Sequence, residues 1–303
     1  MSTPPRTELL AAALARRERV RDHDTDTLRL VDGDGDRLPD FILEDFGGNW
    51  LVSTKSSQAL PRDVLGWLEE SGRPVYRKRL DQHEKESPEH LCGPELPDRF
   101  PIRESGVCYE ASFASGYSQG LFLDQRDNRR RVRERSQPGD TVLNTFAYTG
   151  AFSVCAALGG ATTTTLDLSQ PYLDWCRANM QLNGIDPGEQ YFIKGDTFHW
   201  LKRFAKQGRR FTGIILDPPS FSRDDKGKVF RAEKDYGHLV EQAVACLQSD
   251  GWLLCTTNHR GISPGEFSRI VAEATTGAAS LSAVAMPEDF TDEPYLKTLW
   301  VHY

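Results

Sequence analysis

A chain of 303 residues with 38% hydrophobic and 10% aromatic side chains has material for two cores, or for one large core with an appendage. A formal charge of −7 excludes adhesion to polyanions over the whole surface and leaves room only for local basic sites. No stretch approaches the ~20 apolar residues of a membrane span, and Met1-Ser-Thr-Pro-Pro lacks the basic start and apolar run of a leader, so a cytoplasmic protein is expected.

Residues 6–20 read as a helix, rich in Ala and Leu before Arg16-Arg-Glu-Arg19. Strands are expected over 25–30 and 41–45. Between them Asp32-Gly-Asp-Gly-Asp36 is a turn-rich stretch that lacks the twelfth-position Glu and the flanking helices of a calcium loop. A strand over 49–55, a helix over 61–71 and strands over 75–80 and 107–113 follow, with a charged, proline-rich surface loop over 81–101. The first part of the chain is therefore an N-terminal helix (1–24) and a small α+β domain (25–115).

From Asp140 strands and helices alternate. Strands are expected over 141–145, 162–168, 191–194, 212–216 and 251–257, and helices over 151–158, 197–207, 233–248 and 264–274. Ser169-Gln-Pro171 reads as a capped helix start, and Asn183-Gly184 as the stop of that helix. Such alternation predicts an α/β, doubly wound Rossmann-like parallel sheet with right-handed crossovers. The last two strands, 281–286 and 297–302, have no helix between them and predict an antiparallel hairpin at the sheet edge.

The strand ends carry the chemistry. Thr212-Gly-Ile-Ile-Leu216 runs into Asp217-Pro218-Pro219-Ser220-Phe221, where two prolines must end the ladder. Asp217 is thus left at the carboxyl edge, where open α/β sheets bind ligands. The turn offers a carboxylate, prolyl carbonyls and a ring that can stack on a flat group. The first β-α junction, Asn144-Thr-Phe146-Ala-Tyr148-Thr-Gly150, lacks the G-x-G-x-x-G of a pyrophosphate site, which favours a cofactor without phosphates. Asp167 ends the second strand and can accept two ribose hydroxyls. Asp196, followed by Thr197, ends the third and can hold an adenine amine. Each acid can also merely cap a helix, but S-adenosylmethionine fits all these features together. The six cysteines (92, 108, 155, 176, 246, 255) show no C-x-x-C spacing, so reduced thiols and no metal are expected.

With these residues in hand, 141–303 resembles a class I S-adenosylmethionine-dependent methyltransferase. More narrowly, Gly116-Tyr-Ser-Gln-Gly-Leu-Phe-Leu-Asp124-Gln125-Arg126-Asp-Asn128-Arg129 resembles a signature of bacterial large-subunit rRNA methyltransferases. Asn144 to Ser153, Asp167-Leu-Ser169, Asn179-x-x-Leu-Asn183-Gly184 and Asp217-Pro-Pro-Ser-Phe221 match as well, so the likeness spans about residues 27–303. It implies a methyltransferase domain over 116–303 and an RNA partner, rRNA, with the 25–115 domain as a place of contact, and no membrane partner. It also extends the expected cofactor set to Asp124, Gln125, Arg126, Asn128, Asn144, Phe146, Tyr148, Ser169 and Asn183. The N-terminal RNA-binding module of one branch is expected to be missing. The oligomeric state stays open, a homodimer included.

Arg126 can pair with the cofactor's carboxylate or an RNA phosphate, or with Asp127 or Glu134. Arg126, Arg130 and Arg133 share one face of an arginine-rich helix, the first candidate phosphate patch. Arg73, Arg77, Lys78 and Arg79 form a second, and Arg223, Lys226, Lys228 and Arg231 a third. Cytosine-C5 transfer needs a cysteine nucleophile. The segment that carries it in related enzymes reads here Thr256-Thr-Asn258-His-Arg-Gly261, with Cys255 inside the preceding strand. Asn258-His-Arg-Gly resembles instead the branch that methylates guanine N7, where positioning and charge stabilisation suffice. Asp217, Pro218, Pro219, Phe221 and Asn258 are the expected catalytic set. The alternatives are cytosine-C5 transfer and a non-catalytic RNA-binding protein on this scaffold, which the intact Gly150, Asp167 and Asp217 argue against.

Overall fold

The computed structural model describes residues 4–55, 58–81, 86–116, 118–223 and 229–303. They form two compact units, one of Met1–Arg126 with Pro287–Glu293, the other of Asp127–Met286 with Pro294–Tyr303. The sequence reading divides the chain at 115/116. The compact unit continues to Arg126 because Gln119 bonds back to Ser112 through its carbonyl and to Lys78 through its side chain.

The first unit holds helices α1 (Arg6–Arg17) and α2 (Arg62–Glu70) and strands β1 (Thr27–Asp32), β2 (Phe41–Phe46), β3 (Asn49–Thr54), β4 (Val75–Arg79), β5 (Glu89–Cys92), β6 (Phe100–Glu104) and β7 (Val107–Ala111). Strands β1 to β5 form one sheet in chain order, and β6 and β7 a separate hairpin. Leu10, Leu28, Leu43, Val52, Leu68 and Val75 fill its core. The expected loop over 81–101 contains β5 and the start of β6. Residues of β6 alternate buried and exposed, with Pro101 on the exposed side, and this period of two was hidden by the prolines and charges around it.

The Asp-Gly repeat is an ion-pair anchor. Asp36 accepts from the buried Arg17 at 2.8 and 2.6 Å and also pairs with Arg16. Burial opposes its charge, but the two guanidinia outweigh it and hold the carboxyl below its usual range. The Pro287–Glu293 segment belongs to the same network: Asp289 accepts the Arg29 amide at 2.9 Å and pairs with Arg126.

The second unit contains α3 (Arg126–Arg135, beginning at the boundary), β8 (Thr141–Thr145), α4 (Ala151–Leu158), β9 (Thr162–Asp167), α5 (Gln170–Leu182), β10 (Tyr191–Lys194), α6 (Thr197–Lys206), β11 (Phe211–Leu216), β12 (Phe221–Arg223), β13 (Val229–Arg231), α7 (Ala232–Val244), β14 (Leu247–Thr257), α8 (Pro264–Ala274), β15 (Ser280–Val284) and β16 (Lys297–His302). The seven-stranded sheet has the order β10-β9-β8-β11-β14-β16-β15. Its first five strands are parallel, and β16 runs antiparallel to both β14 and β15, the hairpin expected from sequence. From β8 the chain winds one way to β10, then crosses to β11 on the other side. The crevice at the carboxyl ends of β8 and β11 is therefore the switch point at which such sheets bind ligands. Helix α7 ends at Val244, earlier than the sequence reading, because Leu247 already pairs with Phe211. The expected loop over 222–229 is flanked by a two-stranded ribbon of β12 and β13.

Candidate cofactor and catalytic site

The turn after β8 is built around unusual backbone. Phe146 and Tyr148 have φ of 52° and 50°, and Gly150 has φ of 74°. For aromatic residues the left-handed region costs roughly 1–3 kcal/mol each, so the surrounding contacts must hold them there. Asp167 Oδ2 accepts the Tyr148 amide at 2.8 Å, and the buried Asn179 donates to the Thr149 carbonyl at 3.0 Å. The turn is thus pinned from β9 and from α5. Gly150 is needed for packing as well as for φ, since a Cβ there would lie 1.9 Å from Cys176 Sγ.

Asp167 is the centre of this half of the site. Its other oxygen accepts the Ser169 amide at 2.8 Å. Burial raises its pKa, with the Ser169, Tyr148 and Leu168 amides pulling the other way. A carboxylate held by two amides keeps lone pairs for the hydroxyls of a ribose. Ser169 was expected to cap α5 with its hydroxyl, yet no side-chain cap bond forms; Pro171 at the second helical position has no N–H to offer it. Asp196 caps α6, accepting the His199 amide through Oδ1 at 2.9 Å, and Thr197 is buried as the first residue of that helix. Tyr148 packs edge-on against Tyr172 at 4.6 Å.

Three residues of the expected cofactor set have partners within the fold. Asn183 is the C-cap residue of α5 and donates to the Asn179 carbonyl at 2.7 Å. A helix of 13 residues is roughly 20 Å long, which places Asn183 at the far end of α5 from Ser169. Asn144 is buried and donates to Ser153 at 3.0 Å, beneath the turn. Asn128 bonds to Thr298 and Trp300 of β16 at 3.1 and 3.4 Å. Asp124, Gln125 and Arg126 belong to the first unit, where Arg126 is ion-paired with Asp289 rather than only with the local acids considered from sequence.

The second half lies at the ends of β11 and β14. Leu216 is in register with Thr145 on one side and Cys255 on the other, so Asp217 emerges beside Phe146 and Thr256. Thr256 donates to Asp217 Oδ1 at 2.5 Å. Pro218 is buried and Pro219 exposed. Ser220 donates to Asn258 Oδ1 at 3.0 Å, which brings the proline turn and the Asn258 segment together. The Phe221 ring is 52% exposed, and the Arg231 guanidinium lies over it at 5.6 Å. An aromatic face left in water four residues after a strand-end carboxylate suits a flat polar ligand.

Behind Asn258 the chain is well held. Nδ1 of His259 accepts the Gly261 amide at 3.1 Å, its Nε2 lies 3.3 Å from Glu233, and its carbonyl accepts from Lys297 at 2.7 Å. Cys255 is fully buried, and burial pushes its thiol up to about 12. Nothing near pH 7 makes it a thiolate. Tyr236 was not singled out from sequence, and Thr256 and Asn179 entered only as members of matched segments with no role of their own. A polar Asn in the buried stripe of α5 was the one available signal.

Of the candidate phosphate patches, Arg130 and Arg133 are exposed on α3, while Arg126 and Arg129 are buried. Arg73 stacks on Trp50 at 5.0 Å, Arg77 and Lys78 bond to Thr54 and Gln119, and Arg79 pairs with Asp81. Lys226 and Lys228 lie outside the described residues, as does the Arg223 side chain.

The profile of the S-adenosylmethionine-dependent methyltransferase family matches residues 64–298. The ribosomal RNA large subunit methyltransferase K of Neisseria meningitidis is 34% identical over 86% of this chain and 72% of its own. The ribosomal RNA large subunit methyltransferase I of Alteromonas mediterranea is 31% identical over 95% and 75%. Among solved structures, SMU.776 complexed with SAH superposes with a TM-score of 0.87 at 28% identity, covering 100% of this chain and 83% of that one.

Proposed function

The chain belongs to the S-adenosylmethionine-dependent methyltransferase family, and from that premise we propose that it methylates a base of large-subunit ribosomal RNA, at a ring nitrogen of the guanine-N7 kind. The names of its relatives support the RNA. The state of Cys255 carries the choice of atom: a fully buried thiol with its pKa pushed up to about 12 is a poor nucleophile for the covalent addition that cytosine C5 requires.

When bound, S-adenosylmethionine supplies a methyl group on a sulfonium and leaves as the neutral thioether. Asp167 accepts the ribose hydroxyls, and the second oxygen of Asp196 can accept the adenine amine. Asp217 accepts from an N–H edge of the target base, and the exposed face of Phe221 stacks on it. Asn258, placed by Ser220, contacts the base from the other side of the proline turn. A ring nitrogen already carries a lone pair, so the residues need only hold it in line and offset the developing charge.

Mass spectrometry of nucleosides from large-subunit rRNA, with and without the gene, tests this reading. Loss of one methylated guanosine is expected. Loss of 5-methylcytidine instead would overturn the atom, and an unchanged rRNA profile would overturn the substrate.

A further inference from the structure

The contact of Thr256 with Asp217 reaches beyond the residues that face the substrate. Thr256 is fully buried one step after Cys255, on the strand paired with β11. A threonine hydroxyl has one proton, and an ionised carboxylate can only accept. At 2.5 Å the proton is directed onto Asp217 Oδ1. A charge-assisted bond of this kind fixes the rotation of the carboxylate about its Cβ–Cγ bond.

Helix α7 holds the frame. The buried Tyr236 hydroxyl lies 3.1 Å from the Leu216 carbonyl and 2.9 Å from the Thr256 carbonyl. Its single proton is shared between the peptide that precedes Asp217 and that of Thr256 itself. Both strand ends that bear the pair are therefore stapled by one phenol. A site must be held within about 0.5 Å of its productive geometry to be efficient, and two buried hydroxyls provide that here.

We propose that Thr256 is a positioning residue for methyl transfer, acting through Asp217, with Tyr236 holding the ends of β11 and β14 in register. The inference rests on the reading of Asp217 as the residue that orients the base. Single-turnover methylation of large-subunit rRNA, taken from a strain lacking the gene and assayed at saturating S-adenosylmethionine, tests it with Thr256→Val, Thr256→Ser, Asp217→Asn and the Thr256→Val/Asp217→Asn double variant. Thr256→Val should lower the rate about tenfold to a hundredfold, the size of a lost hydrogen bond to a charged group, while cofactor affinity stays within about twofold. Thr256→Ser should recover most of the rate. In the Asp217→Asn background, Thr256→Val should add little, because residues that act as a unit are not additive.

Equal rates for Thr256→Val and Thr256→Ser would overturn the inference, as would full additivity in the cycle. An impaired Asp217→Asn beside a fully active Thr256→Val removes this inference alone, whereas a fully active Asp217→Asn removes the reading of Asp217 and the inference with it. Should Thr256→Val fail to fold, Thr256→Cys is the second variant. It keeps a weak donor of similar size and should fall between the serine and the wild type on one side and the lost bond on the other; a rate equal to wild type would count against the role of the hydroxyl.

Discussion

The Asp167 carboxylate accepts the amide proton of Tyr148, a residue held at a φ of 50°. One acid thereby fixes a strained turn and, in the proposed role, also presents its oxygens to the cofactor. Asp167→Asn should weaken S-adenosylmethionine binding by about tenfold to a hundredfold, since it replaces a charged acceptor that also serves the turn. Isothermal titration of the folded variant checks this, and an unchanged affinity would rule out the assignment.

The same acid sets a pH dependence. Burial raises the Asp167 pKa from 3.8, so the folded protein binds a proton there at a pH where the unfolded chain does not. Its contribution therefore favours folding below the raised value and fades as the pH rises through it. The proposed contact with the cofactor uses the ionised form and has the opposite sign. Affinity for S-adenosylmethionine should fall on acidification from above the ordinary aspartate range, and Asp167→Asn should flatten that limb. Titrations at several pH values would expose a limb that survives in the variant.

Parallel strands could be read from sequence because β-branched or apolar runs end in a polar residue, which is how Asp167, after four threonines and a leucine, and Asp217, after Ile-Ile-Leu, stood out. The geometry between strands could not. Thr256 became a partner of Asp217 only through the register of β11 against β14. Phe146 and Tyr148 gave no hint of left-handed backbone, since glycine and asparagine are the residues that usually announce it.

The exposed part of the α3 face should contact RNA. Arg130 has only long ion pairs, 3.6 Å to Asp127 and 3.9 Å to Glu134, so its charge remains available to a phosphate. Arg130→Glu with Arg133→Glu should weaken rRNA binding and reduce the slope of log affinity against log salt by roughly 1.4–1.8. Cofactor affinity should not follow. Filter binding across a salt series decides, and an unaltered slope would make this a solvated face.

Cys255→Ser should remain active, because the thiol is buried and protonated. Asp217→Ala should lose roughly 10²–10³ in rate, the size of one preorganised electrostatic contact. A folded, cofactor-binding Cys255→Ser protein without activity would restore the cysteine mechanism.

Asp36→Ala should destabilise the first unit by about 3–5 kcal/mol, because it removes the carboxylate partner of Arg17, which is 2% exposed and keeps only neutral acceptors at Arg29, Asp289 and Thr291. The lowered pKa of Asp36 gives stability that is present above the unfolded value of 3.8 and is lost as pH falls through the folded one. Denaturant titration at neutral pH measures the first effect, and acid titration of wild type and variant the second. A variant as stable as wild type at pH 7 would show that the neutral acceptors at Arg29, Asp289 and Thr291 suffice for Arg17.

Gly150→Ala combines two penalties that can be separated. The residue has φ of 74°, where an L side chain costs roughly 1–2 kcal/mol. Its new Cβ would also meet Cys176 Sγ at 1.9 Å and Cys176 Cβ at 2.6 Å, an overpacking worth about 1–3 kcal/mol. The neighbour can be shortened while the backbone angle cannot be changed. Cys176→Gly in the Gly150→Ala background should therefore restore part of the stability, corrected for the effect of Cys176→Gly alone, and leave the φ penalty. Cofactor affinity should recover less than stability, because the pinned turn from Phe146 to Gly150 stays displaced. Thermal melts and calorimetric titrations of the four proteins measure both. Complete recovery of stability and affinity together would mean that Gly150 is required for space alone.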